Sequence, residues 1–172
     1  RLGCSALKKL GGGVILSQIH EFDYALWLVG KPKRIFALGG KLSNLDVDTE
    51  DTASVLMECQ YDGRTLPVSL TLDFLRSPPH RTCTIIGDEG NIVWDYHEKT
   101  AILQSRLTSK TEKFNFGDLE RNQLFIDELK HFISSVNKKE PCVVDLRSGY
   151  TSLQMALAAR TSIETGEIQV LK

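Results

Sequence analysis

The hydrophobic period of this chain changes at Pro32, and that change most constrains its fold. Before Pro32, apolar residues recur every three or four positions, which predicts one helix over residues 11–29. The stripe consists of Ile15, Ile19, Phe22, Leu26 and Val29. Gly30 followed by Pro32 is a helix stop signal, because glycine accepts the left-handed conformation and proline cannot continue the helix.

After Pro32 the pattern is that of β-strands separated by short turns. Seven strands are predicted, over residues 34–38, 52–61, 64–74, 81–86, 91–96, 101–107 and 111–116. Asp62-Gly63 is typical of a tight hairpin turn. Connections this short require antiparallel neighbours, because a parallel crossover needs a dozen or more residues.

The last third of the chain returns to the helical period. Helices are predicted over residues 119–136, with Asp118 as the capping residue, and over residues 148–165, ended by Gly166. Residues 168–171 could add a short final strand. Helix, strands and helices in this order predict an α+β fold with an open, predominantly antiparallel sheet and helices packed on one face.

Composition excludes several classes of function. With 21 Lys and Arg against 22 Asp and Glu, the chain has no basic surface expected of a nucleic-acid partner or of an anionic membrane. No apolar run reaches the length of a membrane span. The four cysteines lack the spacing of a zinc site or disulfide framework, which predicts reduced, mostly buried thiols in a cytoplasmic protein. The chain begins at Arg1, so we expect a piece of a longer protein.

One side-chain pair could carry acid–base chemistry. His20 and Asp23 are three residues apart, so they share a helix face, and an imidazole can exchange a proton near neutral pH. Spacing alone favours a structural His20, hydrogen-bonded to Asp23 or to a backbone carbonyl, over a catalytic one. The glycines at 11–13 follow no predicted strand, which argues against a phosphate-binding loop.

Longer motifs change that balance. The run SALKKLGGGVILSQIHEFD at residues 5–23, WLVG at 27–30, IGDEGNI at 86–92 and ARTSIETG at 159–166 come in the order found in one family. The chain resembles the C-terminal domain of the glucose-fructose oxidoreductase / inositol dehydrogenase / rhizopine catabolism (Gfo/Idh/MocA) oxidoreductases over nearly its whole length.

The resemblance implies a two-domain NAD- or NADP-dependent enzyme. Residues 1–172 would form its C-terminal domain, and an N-terminal Rossmann domain, absent from this chain, would bind most of the cofactor. The substrate would be a sugar, nucleotide sugar or polyol, and the open sheet face would form a homo-oligomer. His20 matches the family's catalytic histidine, but Leu16 stands where the family has an aspartate four residues earlier.

The remaining site residues follow from the same resemblance. Ser17 and Asp23 on the helix, with Arg76 and His80 in a proline-broken loop, are predicted to bind substrate hydroxyls. Gly12 and Gly13 are predicted to lie close to the cofactor, because they would let the helix start approach it without a side chain.

Two other interpretations stay open at this point. The chain could be a non-catalytic sheet domain that only mediates homo-oligomerisation, because fold alone does not fix function. A metal-dependent enzyme using His20, His80 and Asp23 is the weaker alternative, since the usual ligand spacing is missing and no metal is predicted.

Overall fold

The computed structural model describes residues 3–118 and 120–171, which form two compact units. The first unit comprises Arg1–Leu75 and Val143–Lys172, and the second comprises Arg76–Cys142. Each unit has its own four-stranded antiparallel sheet.

The helices and strands follow one another in nearly the order that the hydrophobic period predicts. The α-helices are α1 (Val14–Ser17), α2 (His20–Val29), α3 (Arg121–Lys138) and α4 (Leu146–Thr165), preceded by 3-10 turns at Cys4–Ala6 and Lys8–Leu10. The strands are β1 (Arg34–Gly40), β2 (Thr52–Tyr61), β3 (Arg64–Asp73), β4 (Thr82–Gly87), β5 (Gly90–Asp95), β6 (Thr100–Ser105), β7 (Thr111–Asn115) and β8 (Gln169–Val170).

In the first unit the sheet order is β3-β2-β1-β8. Ala37 pairs with Val55, and Val55 pairs with Leu70, so these three side chains lie on the same face. The turn between β2 and β3 has positive φ angles of 48° at Asp62 and 72° at Gly63, which confirms the hairpin predicted from that dipeptide.

The core of the first unit lies between this face and helices α1, α2 and α4. It is formed by Val14, Ile15, Phe22, Ala25, Ile35, Ala37, Ala53, Val55, Met57, Cys59, Leu70, Leu72, Met155, Ala156 and Ala159. The opposite face of the sheet carries no helix of this unit, and Leu38 and Leu56 are exposed on it. The α+β class, with an open antiparallel sheet and helices on one face, is confirmed.

The predicted single helix over residues 11–29 is wrong in one respect. It is broken at Gln18 and Ile19, so that α1 has only four residues and α2 starts at His20. The Gln18 side-chain amide donates to the backbone carbonyl of Asp73 at 3.1 Å, which ties the break to the end of β3. The apolar stripe continues through the break, because Ile19 still packs against the core.

A serine of α4 completes the sheet where β8 ends. β8 pairs with β1 only at Arg34 and Ile35, and the next inward-facing residue, Ala37, donates its N–H to the Ser162 hydroxyl at 2.9 Å. Ser162 in turn donates to the carbonyl of Glu167 at 2.7 Å. The buried backbone group is thereby satisfied without another strand.

The second unit consists of the sheet β4-β5-β6-β7 and helix α3. Its apolar helix stripe is exposed, and of the unit's described residues only Thr100 and Ser135 are buried. The predicted start of α3 at Leu119 lies outside the described residues. The predicted cap is wrong: Glu120, not Asp118, occupies the N-cap position, and it makes no side-chain capping bond.

The four cysteines are free thiols, as predicted, but they are less buried than expected. Cys59 is buried in the core, Cys83 and Cys142 are intermediate and Cys4 is exposed. Burial raises the pKa of the Cys59 thiol, which keeps it in the unreactive neutral form.

Candidate functional site

The break before α2 places His20 at the first position of a helix and at the protein surface. The His20 side chain is 52% exposed. Phe22, two positions later, is fully buried in the core. The start of α2 therefore holds the imidazole where a small molecule can reach it, on a helix that the core fixes in place.

A buried carboxylate lies beside this ring. Oε1 of Glu21 is 3.5 Å from Nε2 of His20, and the Glu21 side chain is only 9% exposed. Sequence reasoning missed Glu21, because adjacent residues on a helix normally point in different directions. The His20–Glu21 pair forms at a helix start, directly after the break at Gln18 and Ile19.

Asp23, the carboxylate that the spacing had assigned to His20, is hydrogen-bonded to another helix. It accepts a hydrogen bond of 2.7 Å from the hydroxyl of Ser152 on α4. Ser152 is buried and its oxygen also lies 3.1 Å from the Ser148 carbonyl. Asp23 therefore joins α2 to α4, and its predicted contact with substrate stays a prediction.

Ser17 ends α1, one turn before His20. Its backbone N–H donates to the Gly13 carbonyl at 3.0 Å, and its side chain is half-buried. Leu16, in the position where the family resemblance calls for an aspartate, packs against the core. Binding of a substrate hydroxyl by Ser17 stays a prediction.

Gly12 and Gly13 have internal reasons to be glycines. A Cβ at Gly12 would lie 2.6–2.8 Å from the backbone oxygens of Cys4, Ser5 and Leu7. At Gly13, whose φ is 115°, a Cβ would overlap the carboxylate of Glu50. Both glycines are buried, so the close approach that they permit in this structure is made by the chain itself.

The described residues suit the nicotinamide end of a dinucleotide but not its pyrophosphate. A pyrophosphate needs free backbone N–H groups, and in this chain the N–H groups of Gly12 and Gly13 already donate to Leu7 and Ser5. The nearby Glu50 carboxylate would also repel an anion. The exposed His20 ring, by contrast, suits a position at the reacting end. Proximity of the two glycines to a cofactor stays a prediction.

Arg76 and His80 belong to the second unit. Both are exposed, and Nε2 of His80 lies 3.2 Å from the Thr82 hydroxyl. Their predicted role in substrate binding stays a prediction.

Asp51 is the most strongly perturbed carboxylate of the described chain, and sequence reasoning did not single it out. Burial raises its pKa, but hydrogen bonds from the Ser43 hydroxyl and from the N–H groups of Leu42 and Ser43 outweigh burial and hold the pKa well below its usual range. Lys41 lies 3.4 Å away. These contacts close the loop between β1 and β2, so we assign Asp51 a structural role.

Within residues 3–118 and 120–171, no three His, Cys, Asp or Glu side chains lie close enough together to hold a metal ion. Over the same residues, no helix is long and apolar enough to cross a membrane.

The sequence and the fold were compared with known proteins. Residues 6–170 match the model of the oxidoreductase family C-terminal alpha/beta domain. The chain belongs to this family. The resemblance inferred from the motifs is thereby confirmed, and the relatives of this oxidoreductase domain include dehydrogenases.

The domain is similar to the myo-inositol 2-dehydrogenase of Thermotoga maritima, with 28% identity over 166 residues, 91% of this chain and 48% of that protein. An oxidoreductase structure from Thermotoga maritima superimposes with a TM-score of 0.80 at 21% identity, over 99% of this chain and 51% of that one. A Bordetella pertussis dehydrogenase in complex with NADH and UDP-GlcNAcA gives 0.64 at 18% identity, over 94% and 46%. The domain thus spans about half the length of these relatives.

Proposed function

We propose that this domain supplies the substrate-side acid–base residue of a nicotinamide-dependent dehydrogenase that acts on a sugar, nucleotide sugar or polyol. The observation that carries the proposal is the His20 ring, 52% exposed at the start of a helix whose next turn is in the core. The relatives named above, one a dehydrogenase of a cyclic polyol and one bound to a nucleotide sugar, support this substrate class.

The chemistry of such a site begins with a hydroxyl proton. His20, in its neutral form, accepts the proton as the substrate O–H bond breaks, and the C–O bond becomes a carbonyl as the C–H bond is lost. A bound oxidised nicotinamide would supply the hydride acceptor for this C–H bond, with the alcohol oxidised and the cofactor reduced. Ser17 and Asp23, with Arg76 and His80, are the proposed substrate-binding residues.

Binding of NAD or NADP is assigned mainly to an N-terminal domain outside this chain. The described residues of this domain leave no backbone cradle for the phosphates at Gly12 and Gly13, which supports that division. We therefore expect the 172-residue chain to fold and to show no nicotinamide-linked turnover by itself.

The test is His20→Ala in the complete oxidoreductase, assayed for NAD(P) reduction with a panel of polyols and nucleotide sugars. Turnover should fall about a hundredfold or more, the usual loss for an acid–base group. Leu10→Ala, an exposed position of the same unit, is the control and should keep normal turnover. Near-normal rates for His20→Ala would refute the proposal.

We also propose that the helix-free face of the first sheet forms a homo-oligomer. Leu38 and Leu56 are 63% and 53% exposed there, in strands whose other face is in the core. Leu56→Lys should shift the sedimentation of the chain toward the monomer, whereas Leu10→Lys, at an equally exposed leucine, should not. Identical sedimentation of wild type and Leu56→Lys would exclude this face.

The exposed thiol of Cys4 supports a reducing, cytoplasmic location.

A further inference from the structure

We propose that Glu21 is the positioning residue for His20, with a carboxylate that stabilises the imidazolium formed when the ring takes the substrate proton. This rests on the proposed function, because it assigns a role within the same site.

The geometry of the pair is that of an ion pair with one end inside the protein. Oε1 of Glu21 lies 3.5 Å from Nε2 of His20, the carboxylate side chain being 9% and the imidazole 52% exposed. A charge close to the low-dielectric interior acts more strongly than the same charge in water. His20, which must contact the substrate, is the exposed partner. Glu21, which supplies only charge, is the buried one.

Two of the other charged side chains near α2 have described partners of their own. Charged residues on α2 and on the elements packed against it, β2 and α4, are Glu21, Asp23, Glu58, Arg147, Arg160 and Glu164. Asp23 accepts the hydrogen bond of Ser152, and Glu58 is paired with Arg34. Among the ion pairs described for this chain, that of His20 is with Glu21.

The role of Glu21 in the reaction follows from the change in charge at the His20 ring. When His20 accepts the hydroxyl proton, the ring changes from neutral to positive, and the adjacent carboxylate stabilises the product of that transfer more than the starting state. The proton goes from the substrate oxygen to the imidazole, and none passes to Glu21. Glu21 contacts neither substrate nor cofactor in this proposal.

The first test needs no cofactor. Nitrogen-15 spectra of the histidine rings of the 172-residue chain, recorded at pH 6.5, give the ratio of imidazolium to neutral imidazole at His20. Glu21→Gln, which keeps the shape and removes the charge, should lower that ratio about two- to fivefold, the range expected for a partly exposed ion pair. Asp46→Asn, which removes an exposed carboxylate in the loop between β1 and β2, is the control and should leave it unchanged. An unchanged ratio in Glu21→Gln overturns the proposal.

A second measurement covers the case in which Glu21→Gln does not fold. In the wild-type chain, raising NaCl from 0.05 to 0.5 M screens the pair, so the imidazolium fraction of His20 should fall relative to that of His80, whose described partner is the Thr82 hydroxyl. Equal responses of the two rings overturn the proposal.

Kinetics of the complete oxidoreductase separate this proposal from the one on which it rests. Glu21→Gln should lower kcat several-fold with little change in KM, whereas Asp46→Asn should leave both unchanged. If His20→Ala keeps normal turnover while the imidazolium-to-imidazole ratio of His20 still responds to Glu21→Gln, the proposed function fails and the pairing stands. If His20→Ala is inactive but the ratio does not respond, only the role of Glu21 fails.

Discussion

The hydroxyl of Ser152 lies 2.7 Å from the carboxylate of Asp23, although 129 positions separate the two residues in the sequence. This hydrogen bond joins the helix that carries His20 to the long helix α4. Its donor is buried and its acceptor is charged, a combination that makes a hydrogen bond stronger than one between neutral groups.

We therefore expect Ser152→Ala to destabilise the chain by about 1–3 kcal/mol, because the half-buried carboxylate loses its donor. Urea unfolding followed by circular dichroism measures the effect. A double-mutant cycle with Asp23→Ala should give a coupling energy of at least about 0.5 kcal/mol. Thr161→Ala, which removes a hydroxyl whose described hydrogen bond is to the Leu157 carbonyl within α4, is the control and should change stability by less than about 0.5 kcal/mol. Additive effects of Ser152→Ala and Asp23→Ala would show that the bond does not stabilise the fold.

Gly12→Ala should destabilise the chain by about 1–3 kcal/mol, the usual cost of overpacking. The added methyl would lie 2.6–2.8 Å from three backbone oxygens, which cannot move as a side chain can. Gly149→Ala is the matched control: nothing lies within 4 Å of its Cβ, and alanine is the better helix former, so this variant should gain about 0.5–1 kcal/mol. Thermal unfolding of both variants gives the comparison, and equal midpoints for Gly12→Ala and wild type would contradict it.

Asp51 should make the stability of the chain depend on acid. Its folded pKa is below the unfolded value of about 3.9, so its contribution is present above about pH 4 and is lost as the pH falls through the folded pKa. Between pH 5 and pH 3 the free energy of unfolding should therefore fall more steeply for wild type than for Asp51→Asn, as measured by urea unfolding. Asp46→Asn, at an exposed aspartate of the same loop, should behave like wild type. Parallel curves for wild type and Asp51→Asn would contradict the assignment.

Local signals in the sequence were enough to predict most of the fold. The bounds of β2 agree with the prediction at both ends, because alternation of buried Val55, Met57 and Cys59 with more exposed residues is a property of the strand itself. Asp62-Gly63 and Gly30 ended their elements where expected, since each adopts a positive φ that its residue type tolerates.

The features that the sequence did not predict depend on contacts between distant residues. The break at Gln18 leaves the apolar stripe intact, so periodicity cannot detect it, and the bond that ties it down reaches Asp73 on another element. The same holds for the engagement of Asp23 by Ser152. For the candidate site, His20 was among the predicted residues, but Glu21 was missed because adjacent residues on a helix normally point in different directions.

The Ser162 hydroxyl that receives the N–H of Ala37 also determines how the first sheet can grow. A foreign strand adds to a sheet by pairing with free N–H and carbonyl groups along its edge. Past the end of β8, the N–H of Ala37 already donates to Ser162 and cannot pair in this way. At the opposite margin, β3 contains Pro67, which has no N–H to give. Pairing with a further strand is therefore disfavoured at these two positions, which protects the unit from edge-to-edge polymerisation.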